Sequence, residues 1–129
     1  VKAITEAEKY DGPSLIIAYS PCINHGVKAG MNKSMLEMKK AVRSGYWNLL
    51  RYNPELIRQK RNPLLIDSAP PTESYNDFIM GEVRYNSLKL KSPKKADILF
   101  KAAEEEALDR YKKLIKQQRD FDEQQERRY

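Results

Sequence analysis

The chain of 129 residues contains one cysteine, one histidine and one tryptophan. A single cysteine excludes an internal disulfide framework, and one cysteine with one histidine supplies only half of a structural zinc tetrahedron. The sequence also lacks any apolar run near the roughly 18 residues needed to cross a bilayer, a charged-then-apolar leader and an internal repeat. We therefore expect a protein of the reducing cytoplasm that does not interact with a membrane.

Charge is the second property that bounds the function. Basic residues outnumber acidic ones by 24 to 18, which gives a formal net charge of +6. Such a balance permits binding to RNA or another polyanion. The lysines and arginines are, however, spread along the chain and mostly interleaved with acids. A solvated surface accounts for this pattern better than a stripe that follows a phosphate backbone, so no nucleic-acid partner is expected.

The most informative stretch is the one that delivers the only cysteine. Residues 2–10 are predicted to form a helix, which the Asp-Gly-Pro sequence at 11–13 ends. Five residues of near-continuous apolar character between Pro13 and Ser20 predict a strand covered on both faces, as in a parallel sheet. Cys22 follows this strand directly. Since ligands gather at the carboxyl ends of strands in open α/β sheets, Cys22 is predicted to serve chemistry, as one part of a site whose other ligands lie elsewhere.

A second helix is expected after the cysteine loop. Ser34 and Glu37 have the spacing of a capping box, and Gly45 is a natural carboxyl cap. An apolar stripe at helical spacing is interpreted as core filling against the sheet. The stripe consists of Met31, Met35, Met38 and Val42.

The remaining elements alternate between short extended segments and helices. Residues 46–52 and 64–66 are apolar runs bracketed by Asn-Pro and Pro-Pro sequences, and they are expected to pair as a small sheet. Thr72 is expected to cap a third helix over residues 73–89. The Ser-Pro pair that ends at Pro93 has the order that starts a helix, and an amphipathic stripe continues after it for several turns.

Glu82 falls on the core face of that third helix. A carboxylate at such a position is more often the structural partner of an arginine than a catalytic acid. Arg51 and Arg84 are the candidate partners, and the sequence leaves the pairing open.

Several motifs occur in the order typical of one enzyme family. The run GPSLIIAYSPCINHG at residues 12–26 resembles the end of the thiamine-diphosphate domain of pyruvate:ferredoxin (flavodoxin) oxidoreductases. Later motifs resemble the carboxyl-terminal region of the same family. They are GYW at 45–47, RYNP at 51–54, LIDS at 65–68 and DFIMGEVRY at 77–85. The resemblance extends to about Leu114.

The resemblance implies an α/β fold, a fragment of a thiamine-diphosphate-binding fold with a short, mostly parallel sheet and long carboxyl-terminal helices. Residues 1–116 would form the end of the thiamine domain and a helical region. Residues 117–129 are nearly all polar, with Phe121 and Tyr129 as the possible anchors, and are predicted to be a disordered tail unless a partner orders them. The natural polypeptide is expected to extend upstream of Val1.

The resemblance also implies a function. The family oxidatively decarboxylates a 2-oxoacid, usually pyruvate, with coenzyme A, and passes electrons to ferredoxin or flavodoxin. By resemblance, Cys22 is the last ligand of the four-iron, four-sulfur cluster closest to the thiamine cofactor. Asn24, Gly26 and Gly30 could leave room for backbone and amide donors near the sulfurs. Thiamine diphosphate and its Mg²⁺ would be held upstream of this segment, so the chain alone should be catalytically silent; the complete enzyme is expected to be a homodimer.

Three other interpretations stay open. Without the family likeness, a lone cysteine after a buried strand is more often an inert small hydrophobe. A Cys22 nucleophile with His25 as its base is possible, but their spacing does not show that the side chains face each other, and no orienting acid is evident. A basic module could instead recognise RNA or an acidic protein without catalysis. Its binding residues would be Tyr46, Trp47, Arg51 and Tyr52.

Overall fold

The computed structural model describes residues 1–127 as a mainly helical body with one small sheet. Its elements, in chain order, are α1 (Lys2–Lys9), a 3-10 turn (Met31–Lys33), α2 (Ser34–Arg43), β1 (Leu50–Tyr52), α3 (Glu55–Arg58), β2 (Leu64–Ile66), α4 (Tyr75–Gly81), α5 (Val83–Lys91) and α6 (Pro93–Glu126). Mixed α and β structure with a long carboxyl-terminal helix, as predicted, is confirmed. The sheet, however, is not parallel.

The core lies where α4 meets α2, α5 and α6. Phe78 and Ile79 of α4 are each 2% exposed, and Ala41 of α2 and Ala96 of α6 are fully buried. The two alanines let the helix backbones approach α4 closely, because a larger side chain would have no space there. Aromatic rings cover this contact. We call them the aromatic cluster: Tyr19, Tyr46, Trp47, Tyr75, Phe78, Tyr85 and Phe100.

Strands β1 and β2 form the sheet. They pair antiparallel with Leu50 opposite Ile66 and Tyr52 opposite Leu64, which confirms the predicted pairing of the two short extended segments. Arg51 of β1 binds Asp67 through two hydrogen bonds, of 2.7 and 2.9 Å. Its guanidinium also donates to Glu6 of α1, so one arginine ties the first helix to the sheet.

The predicted parallel strand between Pro13 and Ser20 is wrong. This segment forms neither helix nor strand. Leu15 and Ile17 are 84% and 69% exposed. A parallel strand needs a strand beside it and layers on both faces, and within the described residues no strand pairs with this segment. Its aliphatic side chains therefore remain in contact with solvent, while Tyr19 packs against the core.

The prediction for α2 is wrong in two respects. The helix begins after a 3-10 turn, Lys33 is its amino-terminal cap, and no side chain caps it. Its buried face carries Glu37 and Ala41, because this face packs against α4. Of the predicted stripe, Met31 and Met35 are 37% and 66% exposed, and Met38 and Val42 are only half-buried. Periodicity located the helix correctly but not the face that the tertiary structure covers.

The predicted third helix is two helices. Its amino-terminal cap is Ser74, not Thr72, since the Ser74 hydroxyl accepts a 3.1 Å hydrogen bond from the backbone N–H of Asp77. The break lies at Glu82, whose φ of −85° and ψ of 120° are those of extended backbone. There Glu82 forms an antiparallel bridge with Val27, which the helical pattern gave no reason to expect.

Two of the predicted helix ends are confirmed. Gly45 follows α2 with a φ of 76°, the left-handed conformation that glycine adopts without strain. A Cβ there would also lie 2.8 Å from Cγ of Pro71. Both the positive φ and this close contact therefore disfavour any residue other than glycine. Pro93 occupies the first turn of α6, where its missing N–H leaves no hydrogen bond unmade.

Helix α6 has 34 residues, a length of about 50 Å, and is attached to the sheet near its far end. Asn62 donates to the carbonyl oxygen of Gln118 at 2.7 Å and to Asp122 at 2.9 Å. The described helix thus enters the predicted polar tail as far as Glu126. Disorder of residues 117–129 in solution stays a prediction, and Tyr129 lies outside the described residues. No helix in residues 1–127 is long and apolar enough to cross a membrane.

Candidate functional site

The candidate site is the loop of residues 22–27, which we call the cysteine loop. Cys22 is partly buried, and its Sγ lies 3.1 Å from Nδ1 of His25. The backbone N–H of Gly26 donates to the carbonyl oxygen of Cys22 at 2.8 Å. Gly26 has a φ of 82°, so this tight turn needs glycine at its end. The turn is what brings His25 back onto the sulfur.

The loop favours the thiolate form of Cys22. Donation from the His25 ring, then from the backbone N–H groups of His25 and Asn24, lowers the pKa of Cys22 to about 7. A thiolate is therefore well populated near neutral pH. This is the charged, soft donor that iron–sulfur clusters and other thiophilic metals require. The expectation that Asn24, Gly26 and Gly30 leave room for donors near the sulfurs of a cluster stays a prediction.

Cys22 can supply one of the four thiolate ligands of a cluster. Across residues 1–127 no group of three or more His, Cys, Asp or Glu side chains could hold a metal ion. The chain has no second thiol, so further thiolate ligands of a four-iron cluster would have to come from outside it. A partly exposed thiolate on a loop remains accessible to such ligands.

The structure brings Cys22 and His25 together, which sequence spacing did not show. This contact is also the first requirement of a cysteine nucleophile and its base. The second requirement is a group that orients the histidine. No hydrogen bond joins the His25 ring to a carboxylate in the described part of the chain, so the triad arrangement is incomplete. The geometry therefore suits a ligand better than a nucleophile.

Backbone hydrogen bonds fix the far side of the cysteine loop to the junction of α4 and α5. The N–H of Lys28 donates to the carbonyl oxygen of Gly81 at 2.8 Å, and the N–H of Val83 donates to that of Gly26 at 3.2 Å. Val27 between them is 6% exposed. The break between the two helices is what frees Gly81 and Val83 for these contacts, since groups inside a helix are already paired.

Glu82 lies at the centre of that junction and its side chain is 1% exposed. Its Oε1 accepts a 2.9 Å hydrogen bond from the hydroxyl of Tyr19. Burial and this bond raise the pKa of Tyr19 far above its ordinary value, so the hydroxyl remains a donor. The arginine partners expected for Glu82 are wrong as hydrogen-bond partners. Arg51 binds Asp67 and Glu6, and Arg84 donates to the hydroxyl of Tyr46.

A second buried carboxylate packs beside the same junction. Glu37 of α2 is 3% exposed, and its Oε1 has no hydrogen-bond partner. A Cβ added at Gly81 would lie 2.6 Å from that oxygen, so glycine provides the space for the carboxyl group. Burial raises the pKa of Glu37, Lys40 opposes this, and the negative charge of Glu82 reinforces it.

Replacing Glu37 with glutamine is expected to stabilise the protein at neutral pH. Because the folded state raises the pKa of Glu37 above its unfolded value of 4.5, ionisation costs stability as pH rises, and this cost disappears as pH falls below 4.5. The free energy of unfolding of Glu37→Gln should therefore exceed that of the parent chain at pH 7, and the difference should shrink at pH 4.

Urea unfolding at the two pH values measures this difference. Glu105→Gln, which makes the same charge change at an exposed position of α6, is the control and should give no pH-dependent gain. A gain for Glu37→Gln that is equal at pH 4 and pH 7 would contradict the explanation by ionisation.

The residues proposed for a basic binding module do not form one exposed surface. Tyr46 and Trp47 pack within the aromatic cluster, each with its ring centroid less than 6 Å from that of Tyr19. The guanidinium of Arg51 is occupied by two carboxylates. Tyr52 alone of the four is mostly exposed, at 62%. Stacking on successive bases needs several free rings, which this arrangement does not provide.

The amino-acid sequence is similar to segments of several known enzymes. The chain is 57% identical over 117 residues to a pyruvate:ferredoxin oxidoreductase of Moorella thermoacetica, covering 88% of this chain and 10% of that protein. It is 51% identical over 111 residues to a pyruvate-flavodoxin oxidoreductase of Klebsiella pneumoniae, covering 86% and 10%. It is also 44% identical over 99 residues to a mitochondrial pyruvate dehydrogenase [NADP(+)] of Euglena gracilis, covering 77% and 6%. No family model matches the chain.

These relatives are oxidoreductases that act on pyruvate, as their names state. Over most of its length, this chain is homologous to a segment of pyruvate:ferredoxin and pyruvate-flavodoxin oxidoreductases, and it spans about a tenth of the length of these relatives. The family resemblance predicted from the sequence motifs is thereby confirmed.

Proposed function

We propose that this chain is the part of a pyruvate:ferredoxin or pyruvate-flavodoxin oxidoreductase that supplies one thiolate ligand, Cys22, to a four-iron, four-sulfur cluster. Identity of 57% over 88% of the chain is the observation that carries the proposal. The cysteine loop supports it, because its donors stabilise the charged form of the only thiol. The short sheet and helices described here would be the edge of a larger thiamine-diphosphate-binding fold.

The reaction proposed for the complete protein converts pyruvate and coenzyme A to acetyl-coenzyme A and carbon dioxide, releasing two electrons and one proton. When bound, a cluster at this position would carry those electrons singly toward ferredoxin or flavodoxin. The part of this chain is to hold one iron through Cys22, to keep the sulfur ionised through His25, and to present the loop at a fixed position. Contacts to thiamine diphosphate, Mg²⁺ and substrate would lie on the rest of the polypeptide.

Further features of the proposal follow from this role. The complete enzyme would be a cytoplasmic homodimer of anaerobic metabolism. The isolated chain would be inactive, since it offers one ligand of the cluster and no complete metal site in residues 1–127. The exposed side chains of Leu15 and Ile17 would lie against other parts of the complete polypeptide.

The full-length enzyme, purified without oxygen, tests the proposed function. We expect it to reduce ferredoxin or flavodoxin only when pyruvate and coenzyme A are both present, while the isolated chain of 129 residues shows no such activity. Omission of coenzyme A is the control for non-enzymatic reduction. The opposite result would be an inactive full-length protein together with RNA binding whose affinity falls steeply with salt, which would favour a basic binding module.

A further inference from the structure

We propose that Glu82 is a positioning residue for Cys22, holding the cysteine loop from both sides without touching the sulfur. This inference rests on the proposed role of Cys22 as a cluster ligand. Glu82 itself would not contact the cluster, the substrate or any reacting atom.

The first support is the way in which Glu82 contacts both ends of the loop. Its carboxylate accepts from Tyr19, which precedes Cys22 by three residues. Its backbone bridges Val27, which follows Cys22 by five residues. A single residue from a distant part of the chain therefore fixes the segments that enter and leave the loop. The loop between them is short, so the position of the sulfur depends on both attachments.

The second support is that a buried carboxylate is unfavourable at the position of Glu82, between α4 and α5. A carboxylate that is 1% exposed loses most of its hydration, which is unfavourable unless hydrogen bonds compensate. An apolar side chain of similar volume would fill the same space without that cost. The residue also lies in extended backbone at the break between α4 and α5. The buried carboxylate and the break occur at one residue, and both make contacts to the cysteine loop or the segment that enters it.

The third support is the rigidity of the surroundings on the Tyr19 side. The Tyr19 ring packs against Tyr46 at 5.6 Å, Trp47 at 5.8 Å and Phe78 at 6.5 Å between centroids. The ring is therefore held by the aromatic cluster while its hydroxyl is held by Glu82. Residues that orient a metal ligand in this indirect way commonly change metal affinity by about 10–100-fold when they are replaced.

The test uses the full-length enzyme and measures the rate at which an iron chelator removes the cluster whose signal depends on Cys22. We expect Glu82→Ala and Tyr19→Phe to increase that rate by roughly 10-fold or more. Glu82→Gln retains an acceptor for the Tyr19 hydroxyl and should restore a rate closer to that of the parent enzyme. Tyr85→Phe is the matched control, because it removes a hydroxyl of the aromatic cluster that bonds Tyr46 and not the loop.

Electron paramagnetic resonance separates positioning from simple loss of stability. We expect the signal of the affected cluster to broaden or shift in Glu82→Ala and to be unchanged in Tyr85→Phe, even where both variants unfold at lower temperature. Should Glu82→Ala not fold, Tyr19→Phe and Glu82→Gln decide the question in the same assay.

The outcomes distinguish this inference from the proposed function. Parent rates of cluster loss in Glu82→Ala and Tyr19→Phe, with loss of one signal in Cys22→Ala, would overturn the role of Glu82 and leave Cys22 as a ligand. Retention of every cluster signal in Cys22→Ala would overturn both. Equal acceleration in Tyr85→Phe and Tyr19→Phe would also overturn the inference, because the effect would then follow from loosening of the aromatic cluster in general.

Discussion

Replacement of Cys22 with alanine in the full-length enzyme is expected to abolish the paramagnetic resonance signal of one cluster and to lower the iron content by about four atoms per polypeptide. Alanine has no donor atom, and this chain has no other thiol that could substitute. Water or His25 at the vacant corner would not provide the soft, charged ligand that tetrahedral iron prefers. Reduction of ferredoxin or flavodoxin by pyruvate should fall with the cluster.

Ser20→Ala is the matched control for that experiment. Ser20 lies two residues before Cys22, and its hydroxyl makes only a long contact of 3.4 Å with the carbonyl oxygen of Pro21. This variant should keep the parent iron content and spectrum. Unchanged iron content in Cys22→Ala would show that the cluster is held without Cys22, and the proposed ligand would be wrong.

The second large effect is expected in the core. Phe78→Ala should lower the free energy of unfolding by roughly 3–5 kcal/mol, the usual result of deleting a buried phenyl ring. Phe78 is 2% exposed, and its ring lies 4.7 Å from that of Tyr46 and 6.5 Å from that of Tyr19. The cavity would open beside the rings of Tyr46 and Tyr19, the second of which binds Glu82 through its hydroxyl. Urea unfolding of the chain of 129 residues, followed by circular dichroism, measures the loss.

Ile98→Ala provides the comparison for Phe78→Ala. Ile98 is 72% exposed on α6, so its truncation should change the free energy of unfolding by no more than about 0.5 kcal/mol. A loss below about 1 kcal/mol in Phe78→Ala would mean that the aromatic cluster collapses into the vacated space and does not organise the fold.

Local signals in the sequence were sufficient for several elements. Gly45 and Pro93 mark helix ends because they act through the φ angles and hydrogen bonds of their own residues, which the surrounding fold does not alter. The pairing of β1 with β2 followed from two short apolar runs separated by turn residues. In each case the determining contacts lie close together in the sequence.

Signals that depend on distant parts of the chain were interpreted wrongly. The run that contains Leu15 and Ile17 has the composition of a buried strand, but a strand forms only where a neighbour pairs with it. The stripe that contains Met35 has helical spacing, yet α4 covers a neighbouring face of α2, the one that carries Glu37 and Ala41. Periodicity reports which faces are apolar and not which of them another element covers.

The candidate site shows the same limit. Cys22 could be selected from its position after an apolar run, and the family resemblance gave its role. The contact with His25 depends on the tight turn at Gly26, and the hydrogen bond between Tyr19 and Glu82 joins residues 63 positions apart. The latter had no signal in one sequence, since a buried glutamate is expected to pair with a cation and not with a phenol.

The exposed run beside the cysteine loop affects how the isolated chain should behave in a test tube. Five exposed residues, SLIIA at 14–18, combine small and aliphatic side chains with no charge and no proline. Such a segment, unpaired and open to solvent, is a nucleus for intermolecular cross-β stacking. Purified by itself, the chain should precipitate progressively as its concentration rises, and a lysine at Ile16 would serve as a gatekeeper that keeps it dispersed.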